Sequence, residues 1–149
     1  VKAHRIVVTG EELKAVIVNE RPPNFEQLLA AFPRADQPGV LFAYYPNIHN
    51  PGGIVVPPAL IAHEEVHLNR QRDAGPTTWW DQYLTDNGFR YNEELLAHAA
   101  EFKAQRYNDR NASARLLTAT ALRLVAPLYN YQPPRTLQQA IKDLRREIS

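Results

Sequence analysis

His63-Glu64-Glu65-Val66-His67 sets two imidazoles four residues apart, with a carboxylate next to the first. On a helix, residues four apart share a face. His63 and His67 can therefore close on one metal ion, with Glu64 beside the open coordination position as a general base. Histidine is scarce, five in 149 residues, so the pattern is rare by chance. The helical context it needs is also present: Pro57-Pro58 pre-sets a first turn, Ala59-Leu60-Ile61-Ala62 leads in, and no breaker follows before Gly75. The bland alternative, a solvated face carrying two His by accident, fits less well. Two imidazoles flanking a carboxylate is the arrangement that metal-assisted hydrolysis requires.

Two His leave a catalytic zinc site one protein ligand short. No third His follows at close spacing, since Gln71 stands four residues after His67 and Gly75 ends the helix. The candidates lie on a later helix, where Glu94, His98, Glu101 and Gln105 form a polar stripe at i, i+4, i+7 and i+11. Leu95, Ala99 and Phe102 occupy the opposite side. Glu93 points roughly 100° away from Glu94 around the helix, while Glu101 lies farther along Glu94's own face. Spacing alone leaves these acids as alternatives.

His63-Glu64-x-x-His67 followed by Glu94-Leu95-Leu96-Ala97-His98 resembles the gluzincin arrangement of zinc metallopeptidases, H-E-x-x-H then E-x-x-A-D/H on a second helix. That resemblance implies a Zn2+ cofactor, Glu94 as third ligand, Glu64 as catalytic base and a peptide or protein substrate. His98 stands where such families often carry Asp, which orients a metal-binding His. The departure leaves His98 either as a supporting residue or as an extra ligand. A wider likeness runs over about residues 39 to 105. The hairpin, Pro57-Pro58-x-Leu60-Ile61-Ala62-His63-Glu64, Gln71, Trp79-Trp80-x-x-Tyr83-Leu84, Phe89-Arg90 and the Glu94 helix are similar to compact minigluzincin-type proteins. That layout is associated with small peptidases of phages, prophages and bacteria. The competing reading is a non-catalytic virion or assembly component in which zinc braces two helices.

Several residues are candidates to support such a site. Arg90, Tyr91, Tyr44, Tyr45 and His49 are possible oxyanion donors, and no spacing singles one out. Gln71, one turn beyond His67, is placed to hydrogen-bond that ligand's second nitrogen. The stretch Gly39–Tyr45 offers a strand edge for an extended peptide, and Asn50-Pro51-Gly52-Gly53 a rim before the metal helix. Trp79, Trp80 and Tyr83 are expected to pack helices together.

The elements that must position these residues follow from punctuation and periodicity. Arg5–Val8 reads as a strand, and Thr9 with Glu12 fits a capping box for a helix over Glu11–Val18, although Val16-Ile17-Val18 is equally good strand material. Asn24 with Gln27 opens a short helix that Pro33 stops. Gly39–Tyr45, a turn over Pro46–Gly53 and Ile54–Val56 read as a hairpin into the metal helix, which runs to about Asp73. Thr78 caps a helix ended by Asn87-Gly88, Asn92 caps one over Glu93–Asn108, and Ala112–Ala126 is helical to Pro127. Thr136 with Gln139 opens the last helix, whose Leu137, Ile141, Leu144 and Ile148 form a stripe expected to dock on the same domain. A sheet first and helices afterwards predicts one α+β domain over residues 1–149, zincin-like by the resemblance.

Composition bounds the function classes. A formal net charge of +1 gives no electrostatic pull toward nucleic acid or anionic membrane. There is no cysteine for disulfides or a Cys-based metal site. No apolar run approaches the ~20 residues of a membrane span, and no signal-peptide pattern is visible; a soluble chain is expected, its location open, and cytoplasmic or virion-associated if it is phage-encoded. The absence of Met, even at position 1, points to a processed or altered start.

Overall fold

Three β-branched residues in a row lose side-chain freedom in a helix and pack well on a pleat. Val16-Ile17-Val18 accordingly forms a strand. The computed structural model describes residues 3–5, 15–105 and 109–149. Its four-stranded sheet comprises β1 (Ala3–Arg5), β2 (Val16–Val18), β3 (Phe42–Tyr44) and β4 (Asn47–His49), in the order β1-β2-β4-β3. β1 and β2 are antiparallel, β2 and β4 parallel, and β3 and β4 antiparallel with Phe42 opposite His49. Of the expected strand Arg5–Val8 only Arg5 is described, and Glu11–Lys14 of the expected helix, like Asn108, lie outside the described residues.

Helices take up most of the remaining chain: α1 (Phe25–Ala31), α2 (Pro58–Ala74), α3 (Pro76–Thr85), α4 (Asn87–Gln105), α5 (Arg110–Leu124) and α6 (Leu137–Ile148), with single 3-10 turns at Pro33–Asp36 and Pro127–Tyr129. The fold is α+β and mostly helical. Among the described residues, no helix is long and apolar enough to cross a membrane.

The hairpin differs from expectation. Its return strand is Asn47–His49, separated from β3 by Tyr45-Pro46, and Ile54–Val56 is irregular. Asn50 explains the shift: its side chain accepts from Ile54 N–H at 3.2 Å and donates to Ile54 C=O at 2.8 Å, turning the chain out of the sheet. Gly52 is required in that turn, since a Cβ there would lie 2.2 Å from the Pro38 carbonyl oxygen. Asn92 is not a cap. It sits exposed inside α4, which starts earlier because Asp86 Oδ1 accepts from Phe89 N–H at 3.0 Å. Likewise α3 begins at Pro76 rather than after Thr78, directly behind Gly75, whose φ of 88° only glycine adopts freely. Thr136 caps α6 as expected, accepting from Gln139 N–H at 3.2 Å.

Three apolar clusters surround the α2–α4 pair. One joins α4, α5 and α6 through Leu95, Phe102, Leu117, Leu124 and Leu144, and takes in the α6 stripe. A second joins α1, β3 and α3 through Phe25, Leu28, Phe42, Trp79 and Trp80. The third seats α2 on the sheet through Ile17, Ala43, Ile48 and Leu68.

Tyr91 adds a polar lock to the first cluster, its O–H donating to Asp143 Oδ2 at 2.7 Å. Burial alone would raise Asp143's pKa, but bonds from Tyr91, Gln139 and Arg146 outweigh it and hold the carboxyl below its usual range. A lowered folded pKa gives stability that is present above the ordinary carboxylate range and lost as pH falls through the folded value. Asp143→Asn should therefore cost about 1–2 kcal/mol at pH 7 in urea unfolding. The difference should shrink as pH drops below about 3.9. A gap unchanged to pH 2 would count against this origin.

Candidate metal centre

The inward face of α2 is polar. His63, Glu64, His67 and Gln71 are all buried, and the facing side of α4 buries Glu94, His98 and Glu101. Helical spacing puts each set on one face, and α2 and α4 pack more extensively on each other than any other pair of elements. An ionised group in such surroundings costs several kcal/mol unless it is paired. The seam meets that demand internally.

Glu94 sits between the two imidazoles of α2. Its Oε1 lies 3.1 Å from His63 Nε2 and its Oε2 3.2 Å from His67 Nε2. Tetrahedral ligands about 2.1 Å from a metal are separated by about 3.4 Å, so each α2 imidazole stands near a ligand pair's spacing from Glu94. The group whose ligand atoms all lie within 4.8 Å of one another among the described residues is His63, Glu94 and His98. His67 Nε2 and Glu94 Oε1 are buried without hydrogen-bond partners. Buried polar atoms left without partners are what a cation would satisfy. Glu64 adjoins them, with Oε2 3.7 Å from His63 Nε2.

Electrostatics follow the same geometry. Burial would lower His63's pKa, but Glu101 and Glu94 outweigh it and push it up to about 10. A proton on His63 thus does part of the work a cation would do. Burial would raise Glu94, yet His67 and His63 hold it well below the usual carboxylate range. Burial dominates at Glu64, raising its carboxyl despite the neighbouring imidazoles.

Around these groups stands a layer of supporting contacts. Glu101 Oε1 accepts from His63 Nδ1–H at 3.1 Å, which fixes that ring and leaves Nε2 toward Glu94. Arg123 of α5 holds Glu101 Oε2 in turn, through Nε at 2.8 Å and a second, very short bond from its terminal nitrogen. Tyr83 of α3 donates to Glu94 Oε2 at 2.6 Å. His98 Nε2 lies 2.9 Å from the Tyr129 hydroxyl. Its Nδ1 is 3.1 Å from Glu101 Oε1, a close contact that does not form a hydrogen bond.

The remaining sequence candidates serve the scaffold. Gln71 does not reach His67; its side chain donates to Ala43 C=O at 2.9 Å and accepts from Tyr45 N–H at 2.7 Å, tying α2 to β3. Trp80 Nε1–H donates to the same Ala43 carbonyl at 3.0 Å. β3 is an edge strand, but these outward groups are taken from within, so a peptide cannot add through them. Arg90 is buried and spent on the carbonyls of Tyr83, Tyr129 and Asn130 and on Asn87. Tyr91 belongs to the α6 contact, and His49 Nδ1 bonds the Glu20 carbonyl at 3.3 Å. Gln71, Arg90, Tyr91, His49, Tyr44, Tyr45 and the Asn50–Gly53 turn do not line the cavity beside the seam. Glu93 points elsewhere, accepting from Arg70 at 2.5 Å and from Trp79 at 2.8 Å.

That cavity, about 220 Å³, has His63, Glu64, His67, Glu94, His98 and Glu101 along one side. Leu28, Phe32, Val40, Leu41, Phe42 and Trp80 form an apolar wall, and Tyr129 and Arg123 also reach it. Trp79 and Tyr83 pack the helices as expected, stacked at 4.9 Å, and line the cavity too.

Set beside protein-family models, curated proteins and solved structures, the chain has no match. What the site can do is therefore argued from its own atoms: hold a divalent cation with imidazole and carboxylate donors beside a base of raised pKa. Sequence reasoning did not find Arg123, Tyr129 or the contact of Tyr83 with Glu94. No local pattern marks them.

With Zn2+ as the probe ion in calorimetric titration, Glu94→Ala should abolish binding, whereas Glu93→Ala should leave affinity within a few-fold. Arg123→Ala, acting through Glu101, should weaken binding by roughly 10–100-fold. Equal losses in Glu93→Ala and Glu94→Ala would sink the ligand assignment.

Proposed function

We propose that the chain is a zinc-dependent peptidase of zincin-like architecture, with His63, His67 and Glu94 as ligands and Glu64 as general base. One observation carries the reading: buried Nε2 and Oε atoms on two helices converge, unpaired at His67 Nε2 and Glu94 Oε1, with the Glu64 carboxyl beside them. The resemblance of His63-Glu64-x-x-His67 and Glu94-x-x-Ala97-His98 to gluzincins agrees with it.

Bound zinc supplies Lewis acidity toward a carbonyl oxygen and brings the pKa of water toward neutrality. The protein's own residues do the rest. Glu64, raised by burial, accepts a proton from the attacking water and passes it to the leaving amine. Glu101 and Arg123 hold His63 in register, and Tyr83 fixes Glu94. The apolar wall favours a substrate presenting an apolar side chain next to the scissile bond. Because Gln71 and Trp80 occupy the edge of β3 at Ala43, grip comes from that side chain more than from strand addition.

A second reading, a metal brace without turnover, has one observation in its favour. His63, Glu94 and His98 offer ligand atoms all within 4.8 Å of one another, so a fourth protein ligand is close at hand.

Glu64→Gln separates the two readings. It should keep Zn2+ affinity within a few-fold while kcat/KM on peptides with apolar side chains falls by about 10²–10⁴. A zinc-loaded native protein that cleaves none of a diverse peptide library would leave the brace reading standing.

A further inference from the structure

We propose that Tyr129 keeps His98 off the metal, and that this one hydrogen bond decides whether the centre has an open coordination position. The inference rests on the metal centre described above, and on the peptidase reading for the need of that position.

His98 is placed like a ligand but oriented away from being one. Its ring centroid is 4.4 Å from that of His63, and its Nε2 is 3.9 Å from Glu94 Oε1. The two α2 imidazoles approach Glu94 at 3.1 and 3.2 Å. The gap to a tetrahedral spacing of about 3.4 Å is thus only about half an ångström, which a small ring rotation can close. His98 is fully within the protein, so no other solvent-exposed state competes for it.

At Nε2 the ring is restrained by one contact, while at Nδ1 the Glu101 carboxylate stands 3.1 Å away. Its Nε2 is engaged by the Tyr129 hydroxyl at 2.9 Å, and its Nδ1 has no hydrogen-bond partner among the described residues. Tyr129 cannot simply follow His98 inward. Arg90 Nε holds its carbonyl at 3.0 Å, and the same guanidinium is fastened to the Tyr83 carbonyl at 2.6 Å. Its ring also leans on Tyr131 with centroids 5.7 Å apart. The 3-10 turn Pro127–Tyr129 is therefore clamped to the α3–α4 corner, and the hydroxyl is presented from a fixed point. With the ring proton on Nδ1, beside Glu101 Oε1 at 3.1 Å, the Nε2 lone pair that would bind a cation accepts from the tyrosine hydroxyl. Without the hydroxyl proton to accept, the nearest use for the lone pair is a cation held by His63 and Glu94. Tyr129 is a positioning residue, acting through His98.

X-ray absorption on the zinc-loaded protein counts bound imidazoles directly. The native chain should show two, from His63 and His67. Tyr129→Phe should show three, bind Zn2+ at least about tenfold more tightly and lose peptidase activity. His98→Gln tests the same point if Tyr129→Phe does not fold: it should keep two imidazoles and native affinity within about threefold. Two imidazoles in folded Tyr129→Phe would overturn the proposal while leaving the peptidase reading intact. Three in the native chain, or a fall to one fewer in His98→Gln, would make His98 a resident ligand. That result overturns this proposal and favours the brace over the peptidase.

Discussion

A seam of carboxylates and imidazoles buried between α2 and α4 is the constraint on which the rest of the structure depends. Each ionised group there would cost several kcal/mol if left alone. His63, Glu64, His67, Glu94, His98 and Glu101 are all buried, so the groups must satisfy one another. They do so unequally. Glu101 and Glu94 raise His63 to about 10, His67 and His63 depress Glu94, and Glu64 is left raised by its burial. Among the described residues of the seam, His67 Nδ1 and Nε2, Glu94 Oε1 and His98 Nδ1 remain without hydrogen-bond partners. A helix pair packed for stability alone would put leucines along this interface. Here buried imidazoles and carboxylates stand in their place.

The surrounding apolar clusters make that substitution tolerable. Leu95, Phe102 and Leu124 pack behind α4, Leu68 and Ile48 behind α2, and Phe42, Trp79 and Trp80 close the third side. Side chains that cross between layers carry the precision. Gln71 ties α2 to β3, Arg123 ties α5 to Glu101, and Arg90 ties the Tyr129 turn to α3. Losing one of these ties should leave the fold in place but shift the seam side chains, since each fixes orientation more than it buries area.

Much of the local structure was legible. Pro57-Pro58 and Gly75 bracket α2 as read, Thr136 caps α6, and the α6 stripe docks on its own domain. Errors fell where a long-range or side-chain contact overrode a local signal. Asn92 has cap chemistry, but Asp86 bonds Phe89 N–H first and α4 starts there. Ile54–Val56 has strand composition, but Asn50 bonds Ile54 at both its N–H and C=O and turns the chain away, so the shorter Asn47–His49 pairs with β3. Gln71 has the right spacing to support His67, yet the backbone of β3 offers a donor and an acceptor together and takes it.

The sequence by itself determined which residues share a helix face: His63 with His67, and Glu94 with His98 and Glu101. The 3.6-residue repeat is a local property, so spacing is enough to group them. It also turned Glu93 away from Glu94, and the structure sends Glu93 to Arg70 and Trp79. Only the tertiary structure decided that the two faces meet with Glu94 between the imidazoles, and that Glu101 rather than His98 orients His63. It alone brought Arg123 and Tyr129 to the site, from 22 and 31 residues along the chain from their partners. Those distances are crossed by packing of whole helices and turns, and no short-range periodicity records where such elements come to rest.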